Sequence, residues 1–151
     1  MIEFHPTEDQ IRYTEDIIER MDKNFKNDWK SSNHKDNKWW GKLAEVIAAD
    51  YLGVDRPHLD KSKKIVPDLG YDLIYEEIKI DVKSQKNFDS GLANCNVSCT
   101  VEKRCDKFMF FHHDTETYIF TLLGEASFED VKKSEIVKGR FSPMHQVKLK
   151  E

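Results

Sequence analysis

The segment Tyr71-Asp-Leu-Ile-Tyr-Glu-Glu-Ile-Lys-Ile-Asp-Val-Lys83 holds the residues best suited to chemistry in this chain. Apolar and polar residues alternate along it, and the phase reverses about Glu76-Glu77, so it reads as a β-hairpin. Glu-Glu is not a favoured two-residue turn, but a four-residue loop over the same centre keeps the same pairing. In that register Tyr75 faces Ile78, Leu73 faces Ile80 and Tyr71 faces Val82, which makes one side apolar. The other side sets Asp72 opposite Asp81, with Lys83 two residues along the same face. Opposed like charges destabilise a sheet, and Asp is a poor strand residue, so a cation is expected between them. Two convergent carboxylates would otherwise drive one pKa upward, whereas a hard ion such as Mg2+ keeps both ionised. Mg2+ typically takes one or two protein carboxylates together with waters and phosphate oxygens, and an adjacent ammonium can contact the same phosphate. The constellation suits phosphodiester hydrolysis. The competing, purely structural explanation is a hairpin whose polar face looks into water, with Lys79 and Lys83 offsetting the acids.

The elements that must position these residues follow from spacing. Thr7 and Gln10 form a capping-box pair, and Ile11, Thr14, Ile18, Met21, Phe25 and Trp29 recur at three- or four-residue steps, predicting an amphipathic helix from 7 to about 29. The polar stretch 30–38 reads as a loop. A second helix is expected over Trp39–Leu52, stopped by Gly53, with Trp40, Leu43, Ala44, Ile47 and Tyr51 as its core stripe. Glu45 falls on its flank among Gly41, Ala48 and Ala49, small neighbours that let another backbone approach a carboxylate. Residues 54–66 read as a connection, and Ser90–Thr100 as either an edge strand or a loop. The apolar runs 107–112 and 118–123 form a second hairpin around Asp114–Thr117, Ser127 caps a short helix through Lys133, and 141–151 finish as a strand or tail.

Gly41-x3-Glu45 in a helix, then Asp72, then Asp81-Val82-Lys83 ending a strand, resembles the PD-(D/E)XK nuclease superfamily. The resemblance covers roughly residues 39–86, and more loosely the chain to about 123. It implies an α/β fold with a restriction-endonuclease-like core, a central mixed sheet flanked by helices, here with an N-terminal helix extension. It implies that Asp72 and Asp81 bind Mg2+, for which Mn2+ can substitute, helped by the Val82 carbonyl, and that Glu45 joins them directly or through water. Lys83 would position or activate the attacking water and stabilise charge on the phosphorane-like transition state. Gln85 is an accessory candidate for phosphate contact, or else a surface amide at a strand end. Pro67-Asp68 spells the Pro-Asp of the family name, so Asp68 competes with Asp72. In the inferred register, however, Asp68 lies opposite Gln85, on the order of 13 Å from Asp72 along an extended strand.

At 151 residues the chain is expected to be one domain, with residues 1–38 as an N-terminal helix and basic loop, 39–123 as the motif-bearing core and 124–151 as a C-terminal helix and tail. Nine Phe, five Tyr and three Trp indicate a packed core despite 34% charged residues. No apolar run approaches a membrane span, and the start lacks a secretory plan, so a cytoplasmic protein is expected, or one of the host-cell cytoplasm if viral. The formal net charge of −4 sits awkwardly with a nucleic-acid partner, but the charge is uneven. Six Lys lie between Lys23 and Lys42 against Asp28 and Asp36, Lys61, Lys63 and Lys64 form a second cluster, and Lys132, Lys133, Lys138 and Arg140 a third. Lys35, Lys38, Lys42, Lys61, Lys63 and Lys64 are the candidate nucleic-acid contacts, each run being equally readable as a solvated face. Cys95, Cys99 and Cys105 fit no paired-ligand zinc spacing and read as reduced thiols. His112 and His113 read as strand-end residues, and no nucleophile elbow or Gly-rich phosphate loop is present. The expected function is a Mg2+-dependent endonuclease on DNA, RNA not being excluded. A homodimer is compatible with it, since cutting both strands needs two sites. The alternatives are a non-catalytic nucleic-acid-binding module of nuclease-like fold and an interaction protein of a virus or mobile element.

Overall fold

The computed structural model describes residues 1–25, 37–57, 71–87, 91–139 and 142–149, with 21–25 as backbone only. Trp29, Lys35, Lys61, Lys63, Lys64 and Asp68 lie outside the described residues. A short strand, β1 (Ile2–Phe4), which the alternation pattern does not reveal, precedes the first helix, α1 (Glu8–Phe25). The capping box at its start is formed in both directions: Thr7 N–H donates to Gln10 Oε1 at 2.9 Å and Gln10 N–H to Thr7 Oγ1 at 3.1 Å. Helix α2 (Asn37–Leu52) begins two residues before its expected start. It ends at Gly53, whose φ of 71° allows Val54 N–H to reach the Ala49 carbonyl at 3.0 Å, a Schellman closure.

The remaining elements are β2 (Leu73–Tyr75), β3 (Ile78–Gln85), β4 (Leu92–Asn96), a 3-10 turn (Val97–Thr100), β5 (Lys107–His113), β6 (Phe120–Ser127), α3 (Phe128–Lys133), β7 (Glu135–Lys138) and β8 (Pro143–Lys148). They make an α/β fold around a mixed five-stranded sheet in the order β1-β6-β5-β3-β2, where β3 and β5 are parallel and the other neighbours antiparallel. A parallel pair needs a crossover. Here β4 and the 3-10 turn supply it, and β4 joins a second, three-stranded sheet in the order β4-β8-β7. The second hairpin and the Ser127 cap of α3 fall where the pattern places them, and Ser127 Oγ accepts from Asp130 N–H at 3.1 Å. β7 escapes the sequence reading because its four residues are short and mostly exposed.

Strand β5 is buried on both faces, which is why it reads as a continuous apolar run. Met109 and Phe111 join Leu73, Ile80, Val82 and Phe120 beneath α2. Phe108 and Phe110 turn the other way, to Leu123, Phe128, Val131, Ala93 and Val147. The sheet thus carries α2 on one face and the small sheet with α3 on the other. Helix α2 is buried well beyond one stripe, including Trp39, Val46 and Ala49. Tyr51, expected in that stripe, is instead 47% exposed. It sits in the last turn of the helix and meets the Phe4 ring edge to face at 5.3 Å. Among the described residues no helix is long and apolar enough to cross a membrane.

Candidate functional site

The hairpin has the inferred register: Leu73 pairs with Ile80, Ile74 with Lys79 and Tyr75 with Ile78. Its turn is the tight two-residue form after all, with Glu76 and Glu77 both at positive φ (49° and 69°). This mirror-image turn matches strand twist but suits Asn-Gly far better than Glu-Glu.

At its open end the hairpin departs from simple alternation. β2 stops at Leu73, and the Asp72 carboxylate, not a backbone carbonyl, accepts the Val82 N–H at 2.8 Å. Asp72 N–H still donates to the Ile80 carbonyl at 2.8 Å. The chain bends there, and Tyr71 does not face Val82 as expected. It packs with the opposite cluster, where the Lys79 ammonium lies 5.2 Å from its ring centre. The physical reason is that one side chain replaces a rung of the ladder, so pairing ends a residue early and the pleat is lost.

That bend puts Asp72 at the rim of the sheet, between two acids that approach from different layers. Glu45 comes down from α2, and Asp81 rises from β3 on the face of Phe108. The Asp72 carboxyl lies within hydrogen-bonding reach of both. Glu45 and Asp81 are each 9% exposed. Burial first, and then Asp72, raises the Glu45 pKa well above the usual carboxylate range, against the pull of Lys42. Burial likewise pushes Asp81 up to about 8, with Lys83 pulling down and Asp72 pushing up. Lys83 Nζ is 3.3 Å from Asp81 Oδ2, and Lys42 Nζ 3.0 Å from Glu45 Oε1. Burial works against the charge on Lys83, but Asp81 and its neighbours outweigh it and raise the lysine pKa.

Glu45, Asp72, Asp81, Val82 and Lys83 line a cleft of about 540 Å3 together with Ser98, Cys99, Val101, Glu102 and Arg104, a second wall contributed by the crossover. Asn96 Oδ1 accepts Ser98 N–H at 3.0 Å, starting the 3-10 turn, and Thr100 Oγ1 meets His145 Nε2 at 2.9 Å, pinning the turn to β8. Sequence reading missed this wall, because its residues carry no periodicity and only the crossover brings them over β3. Lys42, read as a nucleic-acid contact, is instead paired with Glu45, and the i, i+3 spacing within a helix is the signal that could have shown it.

The other candidates fall elsewhere. Gln85 is bound to backbone, donating to the Asn87 and Leu92 carbonyls and accepting Asn94 N–H at 3.0 Å, so it fastens β3 to β4 and does not line the cleft. Lys38 is exposed at the start of α2, whereas Lys42 is turned inward against Glu45. His113 is 3% exposed, stacked on Trp40 at 4.7 Å with Ser84 Oγ 2.6 Å from its Nδ1, and burial lowers its pKa to about 4. It is a neutral core residue at neutral pH. Cys99 reaches the cleft, and the Cys95 thiol is held protonated by its hydrogen bond to Cys99 and by burial. Burial pushes Cys105 up to about 12. All three are free thiols.

Among the described residues no group of three or more His, Cys, Asp or Glu side chains is arranged so that it could hold a metal ion. What converges is a chain of carboxyl contacts through Asp72. Carboxyl oxygens are the donor chemistry of a hard ion such as Mg2+ and not of zinc. Asp72 and Asp81 would be the direct ligands with the Val82 carbonyl, and Glu45 the third oxygen group. Comparison with known proteins finds no matching family model, no matching curated protein and no matching solved structure.

Proposed function

We propose that this protein is a Mg2+-dependent endonuclease of the PD-(D/E)XK kind, with a restriction-endonuclease-like core, that hydrolyses backbone phosphodiesters of DNA. The observation that carries this reading is the gathering of Glu45, Asp72 and Asp81 in the lining of one cleft, beside the Lys83–Asp81 pair. Such an arrangement is costly for a fold, and recruiting a cation would offset that cost. When bound, Mg2+ would neutralise Asp72 and Asp81 and lend Lewis acidity to the phosphoryl oxygen. Lys83 orients the attacking water through Nζ and places positive charge beside the developing phosphorane oxygens. Glu45, braced by Lys42, accepts a hydrogen bond from water on the α2 side. The resemblance implies a 5′-phosphate product.

The test is cleavage of duplex and single-stranded DNA and of RNA in Mg2+ or Mn2+, together with ion-dependent melting. Wild type should cut and should melt higher with the ion, Asp81→Ala should lose both responses while folding, and Lys83→Ala should keep the melting shift but lose turnover by at least about 100-fold. A wild-type protein that neither responds to divalent ions nor cuts any of these substrates refutes the proposal. Binding of DNA without either response would favour the non-catalytic module.

A further inference from the structure

The cleft has two walls, and only one is accounted for by the proposed chemistry. Its lining includes four carboxylates, Glu45, Asp72, Asp81 and Glu102, and two cations, Lys83 and Arg104. Lys83 is held 3.3 Å from Asp81, with its side chain 32% exposed. A polyanionic strand entering the cleft therefore meets a surface with more negative than positive groups, and the nearer lysine is already engaged.

Arg104 is placed differently. Its side chain is 52% exposed, and its pairing is to Glu102, itself 72% exposed, at 3.4 Å. An exposed pair of that length contributes little and exchanges readily. A guanidinium offers a planar fork that matches two phosphate oxygens, whereas an ammonium is a point charge. The wall beneath Arg104 is also braced. Asn96 starts the 3-10 turn, the Thr100–His145 contact ties it to β8, and Asp106 anchors the following residues by accepting Lys79 N–H at 2.8 Å while its own N–H reaches the Lys79 carbonyl at 2.8 Å. The loop that carries Arg104 into the cleft lining is thus tied on both sides, at the 3-10 turn and at Asp106.

We propose that Arg104 is the substrate-binding cation of the far wall, exchanging Glu102 for a phosphate of the nucleic-acid strand lying in the cleft. This deepens the nuclease reading and rests on it for the identity of the substrate. Lys83 and Arg104 then divide the work. Lys83 serves the reacting phosphate beside the carboxylates, and Arg104 holds the strand. Glu102 competes with the phosphate for the fork and keeps the empty cleft from attracting small anions.

The experiment compares full-length wild type with Arg104→Ala, Arg104→Lys and Glu102→Gln. A labelled oligonucleotide is bound without divalent ion across a salt series, and cleavage is followed in Mg2+. Arg104→Ala should weaken binding about tenfold or more and reduce the slope of log K against log salt by about one. It should raise KM by a similar factor and leave kcat within about threefold, with the melting temperature and its Mg2+ response unchanged. Arg104→Lys should restore the charge-dependent slope but only part of the affinity, and Glu102→Gln should tighten binding severalfold. Unchanged binding and salt slope in Arg104→Ala overturn the assignment whatever the cleavage result. If wild type fails to cut but Arg104→Ala still binds more weakly with the reduced slope, the phosphate contact stands and the catalytic reading falls.

Discussion

Replacing Asp81 by Asn should make the ion-free protein more stable at alkaline pH. The Asp81 carboxyl is pushed from an ordinary value of 3.8 up to about 8, chiefly by burial and also by Asp72, despite Lys83. The unfolded chain ionises near the ordinary value, so between about pH 4 and pH 8 the folded state holds a proton that the unfolded state has released. Stability from this group is therefore greatest at low pH and is lost as pH rises through that window. At about 1.4 kcal/mol per pKa unit, a shift from 3.8 to about 8 sets a ceiling near 6 kcal/mol. Water entry and relaxation around the carboxyl should relieve roughly half, leaving about 3 kcal/mol. Asn has the same shape, never ionises, and can donate its amide hydrogen to Asp72. For a domain of this size about 3 kcal/mol corresponds to about 6–12 °C in melting temperature. Calorimetry or circular dichroism melts at pH 4.5 and 8.5, with a chelator present, should show near-coincident wild type and Asp81→Asn at the lower pH and a gap of that size at the higher. Adding Mg2+ at pH 8.5 should raise the wild type by binding linkage and leave Asp81→Asn in place. A variant that melts at or below wild type at pH 8.5, or a gap that does not depend on pH, would show that the three acids are not crowded as described, and the argument for a cation would go with them.

Two further outcomes concern the scaffold. Glu76→Asn combined with Glu77→Gly should stabilise the protein by about 1–2 kcal/mol, since both turn residues adopt positive φ at a cost that Asn and Gly largely avoid. A chemical-denaturation midpoint that does not rise would count against the turn. Phe108→Ala should cost about 3–5 kcal/mol in the same assay, because its ring is fully buried between Phe110 and Phe128 on the face that supports Asp81.

The position of the acids shows how a site can be assembled from the failure of a regular pattern. A fully paired hairpin would carry Asp72 and Asp81 as neighbours on one face, too far from α2 for Glu45 to join them. Ending β2 at Leu73 leaves the Val82 N–H without a strand partner, and Asp72 supplies the acceptor. The same bond fixes the carboxyl at the sheet rim, where a helix residue from one layer and a strand residue from the other can both reach it. The buried amide bond and the acid cluster are thus one feature, and Asp72→Ala would disturb both.

Local signals carried a good deal of this molecule. The capping box at Thr7 and Gln10, the Gly53 stop, the hairpin register, the second hairpin and the Ser127 cap all rest on contacts within a few residues, so short-range spacing is enough to read them. The register pointed Asp72 toward Asp81 for the same reason, but strand pairing ends at Leu73 and the two are not a ladder pair. Everything that depends on packing between distant segments was not. Glu45 looked like a flank residue and is buried, because α2 is covered on more sides than a single apolar stripe announces. Gln85 looked available and is bound to β4, Tyr71 lies on the opposite face, and the wall bearing Arg104 exists only because the parallel pairing of β3 with β5 forces the intervening chain across the cleft. Periodicity encodes which face a residue presents to its own element; what that face meets is settled by the crossover and the layers, and no spacing rule records it.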